Sequence, residues 1–91
     1  MPVKKVTTAT LATLKARGEK AVFLTAYNYA TATLADRTGV DGILVGDSAA
    51  MTMLGLPSTV GIGMEEMLVF ARAVTRAARR AFVIGDLPFM S

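Results

Sequence analysis

Ninety-one residues leave room for at most one small domain, and a 53% hydrophobic content with a mean hydropathy of +0.48 is rich for so short a chain. With no Cys and no His, the chain has neither disulfide staples nor the nitrogen and sulfur ligands of a usual Zn or Cu site. The net charge of +3 comes from scattered Lys and Arg with no interleaved aromatics, which argues against a nucleic-acid surface, and no apolar run approaches the roughly 20 residues of a membrane span.

The opening stretch "MPVKKVTTATLATLKARGEK" lacks the continuous apolar core and small-residue cleavage pattern of a secretory leader, so the chain reads as cytoplasmic. Residues 1–20 read as an N-terminal helix and its lead-in. Thr7 or Thr8 caps the helix, and Gly18 closes it. The β-branched and aromatic run from Ala21 to Tyr27 predicts a strand. "YATATLADRT" predicts a helix with Ala30, Leu34 and Ala35 on one face and Gly39 as its stop. "GILVGD" does not alternate, and so predicts a strand buried on both faces.

From Ser48 to Gly63 the sequence shows no clear periodicity and reads as a long connection, punctuated by Gly55, Pro57, Gly61 and Gly63. "MEEMLVFARAVTRAARR" is then amphipathic, with Met64, Met67, Leu68, Ala71, Val74 and Ala78 near one stripe. Glu65 and Glu66 at its start suit the helix dipole, as do Arg76, Arg79 and Arg80 towards its end. "AFVIGD" predicts a third strand, broken at Pro88. One helix followed by β-α-β-α-β argues an α/β fold with a parallel sheet and right-handed crossovers.

Asp47 and Asp86, 39 positions apart, then end the second and third strands, one βα unit apart. In parallel α/β folds that edge is where ligands bind. Neighbouring parallel strands lie about 4.8 Å apart, so the two carboxylates could share one site. Their mutual repulsion would favour a hard divalent cation with oxygen ligands, most naturally Mg²⁺. Spacing alone leaves a second reading open, in which each aspartate caps its own turn, Asp47 with help from Ser48 and Asp86 ahead of Pro88. Tyr27 and Tyr29 could line a pocket but read first as packing residues, and Met51, Met53, Met64 and Met67 read as core or loop filler.

"LTAYNYATATLADRTGVDGILVGDSAAM", the later Gly55, Ser58 and Thr59, and "GDLPFMS" together resemble the ketopantoate hydroxymethyltransferase family of pantothenate and coenzyme A biosynthesis, from about Ala21 onward. The resemblance implies a (β/α)₈ TIM barrel of the phosphoenolpyruvate/pyruvate type behind an N-terminal helix, with residues 21–91 supplying its first three strands. It also implies a homo-oligomer, commonly a decamer. The implied reaction moves a hydroxymethyl unit from 5,10-methylenetetrahydrofolate to 3-methyl-2-oxobutanoate with Mg²⁺, giving 2-dehydropantoate. Asp47 and Asp86 become metal ligands by this resemblance, and Asp47, Ser48 and Asp86 contact the keto acid. A cation chelated by the keto acid would acidify its neighbouring C–H and stabilise the enolate that attacks the one-carbon donor.

Several positions depart from the family pattern. Asn28 stands where Asp is usual, Ala50 where Gly is frequent, Phe70 where His is often found, and Ala77 where a Gly follows Arg. The family's Lys, its third acidic metal residue and its general base fall beyond Ser91. The expectation is therefore an N-terminal portion of such an enzyme, inactive alone. An alternative is a non-catalytic chain that acts by lending its open sheet edges to another subunit. A related pyruvate-type lyase or mutase would share the Mg²⁺ logic, but "DLPFMS" favours the transferase. A phospho-acceptor receiver domain needs an acidic pair near its first strand, which "FLTAYN" lacks.

Overall fold

Thr7 opens the first helix as the sequence predicts, and the geometry shows why the choice falls there. In the computed structural model, which describes residues 4–91, α1 spans Thr8–Ala16. The Thr7 hydroxyl accepts the Thr10 N–H, and Thr10 Oγ1 accepts the Thr7 N–H in return, which closes a capping box. At the other end Gly18 adopts φ +70°, and the Gly18 and Glu19 N–H groups donate to the Lys15 and Leu14 carbonyls. That is a Schellman ending, and it needs a left-handed residue at the glycine. α1 buries none of its residues. Val6, just ahead of it, is the anchor: it is buried, and its N–H donates to the Arg80 carbonyl.

β1 (Phe23–Thr25) is shorter than the predicted run from Ala21 to Tyr27. α2 (Tyr29–Arg37) follows, then β2 (Gly42–Val45), a short α3 (Ala49–Thr52), a 3₁₀ turn (Thr59–Gly61), α4 (Met64–Ala77) and β3 (Phe82–Gly85). The strands form one parallel sheet in the order β1-β2-β3. Phe23 and Phe82 flank Gly42, and Thr25 and Ile84 flank Leu44. α2 and α4 pack on each other and on the sheet, as parallel right-handed crossovers dictate.

The core lies between those helices and β2. Ile43, Val45 and Val74 are its largest fully buried side chains, joined by Ala32, Ala35, Met67 and Ala77. β2 is buried almost throughout, as its unbroken apolar run requires. On the opposite sheet face Phe23 and Ile84 stand exposed. Strand β1 is exposed along its whole length.

Four helix and loop expectations are corrected. In α2 the buried stripe is Ala32 and Ala35, with Ala30 exposed and Leu34 64% exposed, because α4 approaches from the alanine side. In α4, Met64 and Leu68 are exposed, and the buried line is Met67, Val74 and Ala77. The helix also stops at Ala77, so Arg79 and Arg80 lie beyond it, and only Arg76 sits in its last turn. The stretch from Ser48 to Gly63 is not without structure. It holds α3, whose Ala49 and Ala50 are fully buried, and the 3₁₀ turn, where Ser58 caps Val60. Among the described residues no helix is long and apolar enough to cross a membrane.

Candidate functional site

Two ends of the sheet divide the polar chemistry. At the N-terminal edge, side chains clamp the backbone entering each strand. The Asp36 carboxylate, at the end of α2, accepts the N–H groups of Arg79 (3.0 Å), Arg80 (3.1 Å) and Ala81 (2.8 Å). Partial burial pushes the Asp36 carboxyl up, but the three N–H donors from Ala81, Arg79 and Arg80, with Lys5 nearby, outweigh it and hold the group below its ordinary range. The Arg80 guanidinium donates to the Gly39 and Val40 carbonyls at 2.9 and 2.8 Å. Asp41 Oδ2 accepts the Val22 N–H at 2.8 Å, and Lys5 Nζ donates to the Ala81 carbonyl at 2.8 Å. Arg80 therefore ties strand ends together, a role the helix-dipole reading missed. The signal was present: an Asp at the end of one helix and an Arg-Arg-Ala just before a strand.

The C-terminal rim is built differently. The parallel ladder continues past the strands, with the Ala26 N–H donating to the Leu44 carbonyl and the Asp86 N–H to the Val45 carbonyl. This extension sets Tyr27, Gly46 and Asp86 side by side at the ends of β1, β2 and β3. Asp86 Oδ2 accepts the Asp47 N–H at 3.1 Å, across 39 residues of chain. Tyr27 Oη and Ser48 Oγ share a hydrogen bond of 2.5 Å, joining the end of β1 to the turn after β2.

Gly46 makes room for the cluster. A Cβ built there would stand 3.3 Å from Asp86 Oδ2 and 3.4 Å from Ser48 Oγ. Beyond it, Ser48 precedes α3 without making a side-chain cap, and among the described residues no hydrogen bond reaches the Asp47 carboxylate. Neither aspartate caps its own turn. Asp47, Ser48 and Asp86 are thus brought to one place, and Tyr27, assigned to packing from the sequence, joins them.

The donor set at this rim is oxygen only. Two carboxylates, one half-buried and one exposed, match a hard divalent cation that keeps water or ligand oxygens on its remaining positions. Among the described residues no group of three or more acidic, His or Cys side chains converges. Two clefts lie elsewhere. A groove of about 510 Å³ runs beside α1, lined by Lys4, Lys5, Arg17 and Arg80, and one of about 230 Å³ lies between the ends of α2 and α4. The rim itself is open, since three strands form an arc and not an enclosed mouth.

A family model described as ketopantoate hydroxymethyltransferase matches residues 5–91. The chain belongs to that family. The match begins upstream of Ala21 and takes in α1, further than the resemblance read from about Ala21 onward. Among curated relatives, the 3-methyl-2-oxobutanoate hydroxymethyltransferase of Syntrophus aciditrophicus is 50% identical over 88 residues, covering 97% of this chain and 32% of the relative. The enzyme of that name from Koribacter versatilis is 52% identical over 87 residues, covering 96% of this chain and 30% of its own length. The one from Pyrobaculum islandicum is 57% identical over 70 residues, covering 77% and 27%. The chain thus spans about a third of the length of the curated relatives it matches.

The departures from the ketopantoate hydroxymethyltransferase pattern fall on structural positions. Asn28 is the N-cap of α2, and its Oδ1 accepts the Thr31 N–H at 2.8 Å, a task Asp performs equally well. Ala50 and Ala77 are buried, and Phe70 packs half-buried against the core.

Proposed function

We propose that this chain supplies the first three strands of a (β/α)₈ barrel and, with them, the two carboxylates of a Mg²⁺ site used in hydroxymethyl transfer to 3-methyl-2-oxobutanoate. The observation carrying this reading is the meeting of Asp47 and Asp86 at adjacent strand ends beside Ser48, where the Asp47 N–H bonds Asp86 Oδ2. The printed names of the relatives supply the reaction.

In this reading Asp47 and Asp86 would hold the cation from neighbouring strands. The Asp47 N–H engages one Asp86 oxygen, and the second would be the one to bind the ion. Ser48 offers its hydroxyl to the keto acid's carboxylate. When bound, Mg²⁺ draws electron density from the keto oxygen and makes the neighbouring C–H more acidic. None of these residues is assigned as the base that takes that proton. 5,10-Methylenetetrahydrofolate is the one-carbon donor, the assembly is a homo-oligomer, and the compartment is the cytoplasm. The 91-residue chain by itself binds without turning over.

A titration of the chain with Mg²⁺, followed by amide NMR, tests this. Saturable shifts at Asp47, Ser48 and Asp86 are expected, and Asp47→Asn and Asp86→Asn should each remove them. Unchanged spectra, or shifts confined to other acidic residues, would sink the metal assignment. Formation of 2-dehydropantoate by the isolated chain with keto acid, folate donor and Mg²⁺ would overturn its expected inactivity.

The second reading, a non-catalytic chain working through association, is favoured by the exposed β1 and the sheet face on which Phe23 and Ile84 stand exposed. It predicts a stable complex with a second subunit and no metal-dependent shifts at the rim.

A further inference from the structure

Tyr27 does more than pack. It is half-buried and touches the core, yet its hydroxyl points out of that core to Ser48 Oγ, 21 positions along the chain. The two hydroxyls could be arranged in either direction, and the direction matters. A phenolic O–H is a better donor than an aliphatic hydroxyl, and a serine oxygen can accept one bond while donating another. If Tyr27 donates, the single Ser48 hydrogen is left to point away from Tyr27, over the rim beside Asp86. If Ser48 donates to Tyr27, that hydrogen is consumed within the protein and Ser48 can only accept.

Local geometry favours the first arrangement. Ser48 precedes α3 and makes no side-chain cap, so no backbone N–H occupies its oxygen there. The absence of a side chain at Gly46 leaves Ser48 Oγ and Asp86 Oδ2 flanking one small gap. Tyr27 itself is held by neighbours that do not depend on a ligand. The Ala26 N–H donates to the Leu44 carbonyl, Ala26 is buried, and α2 starts immediately after at the Asn28 cap. The phenol is thus fixed before anything binds, and pre-set donors lose less on binding than mobile ones.

We infer that Tyr27 is a positioning residue: its hydroxyl donates to Ser48 Oγ and so aims the Ser48 O–H at an anionic oxygen, the carboxylate of a 2-keto acid, bound above Gly46. This rests on the reading of the rim as a keto-acid and metal site. It goes beyond that reading by assigning a direction to each hydrogen bond and a ligand-orienting task to a residue on the first strand.

The test uses the whole chain, Tyr27→Phe and Ser48→Ala, with 3-methyl-2-oxobutanoate and Mg²⁺ as separate titrants. Removing the phenol oxygen should weaken keto-acid binding about fivefold, the size of one hydrogen bond, while Mg²⁺ affinity stays as in the unsubstituted chain. Ser48→Ala should weaken it as much, and the double variant no more than either alone, because the two hydroxyls act as one unit. In the absence of ligand, the ¹³Cζ resonance of Tyr27 should move in Ser48→Ala, reporting the lost partner. Equal keto-acid affinity in Tyr27→Phe, fully additive losses, or an unmoved ¹³Cζ resonance would overturn the positioning role and leave the parent reading standing. No keto-acid binding by the unsubstituted chain would overturn the parent reading, and this inference with it.

Discussion

Three consecutive backbone N–H groups, of Arg79, Arg80 and Ala81, converge on the Asp36 carboxylate. A carboxylate holding such a turn is worth most when charged, since bonds to an ionised acceptor are stronger than neutral ones. Asp36→Asn keeps the shape, loses the charge and presents an amide that cannot accept all three donors. It should destabilise the fold by about 1–3 kcal/mol, measured by urea denaturation at neutral pH. Because folding lowers the Asp36 pKa, its contribution is fully present above the ordinary value of 3.8 and drains away as pH falls through the lower folded value. Denaturation midpoints should therefore fall below about pH 4 in the parent chain, and this part of the fall should vanish in Asp36→Asn. At the other rim, Gly46→Ala should cost about 1 kcal/mol of stability, because Asp86 and Ser48 must each yield slightly. It should weaken Mg²⁺ binding in the same NMR titration, because Asp86 is pushed off its Asp47 N–H.

At the scale of elements, the ends of helices were the most legible features. Thr7, Gly18 and Gly39 act through their own short-range chemistry, so no knowledge of the rest of the chain is needed to place them. α1 makes this measurable, because it buries nothing and depends on its caps. Thr7→Ala should cost it about 1 kcal/mol, seen as faster hydrogen exchange at Thr10 and Leu11 with exchange in β2 unchanged. The stripes of α2 and α4 were legible only in outline. Alanine, methionine and leucine all count as apolar in a periodic pattern, and only the approach of the partner helix decides which are covered. α3 escaped notice because four residues carry too little periodicity to register, although Ala49 and Ala50 are fully buried. Of the rim, the placement of Asp47 and Asp86 at the ends of β2 and β3 was legible from the apolar runs before them, whereas Ser48 entered the site only through the family resemblance. Tyr27 was not legible, since an aromatic beside a strand reads as packing until its hydroxyl is seen against Ser48.

For the molecule as a whole, the sheet is better covered on one side than the other. The alternation of elements foretold a parallel sheet, and the strand order β1-β2-β3 agrees. Part of the apolar excess of the sequence has a visible place: Val22, Phe23 and Leu24 stand exposed just before and along β1, and Ile84 on β3. Unpaired parallel strand edges with apolar flanks invite pairing with another chain. Sedimentation velocity at rising concentration should therefore show reversible self-association, and Leu24→Lys should suppress it while the far-ultraviolet circular dichroism stays the same.

The clamps formed by Asp36, Asp41 and Arg80 have a bearing on how such a chain can change over generations. They sit at the end of the sheet opposite Tyr27, Ser48 and Asp86, and share no residue with them. Substitutions at the C-terminal rim leave these fastenings intact, so the two ends can drift under separate selection. A library that randomises positions 46–48 and 86 while holding 36, 41 and 80 constant should return mostly folded variants. The reverse library should return few.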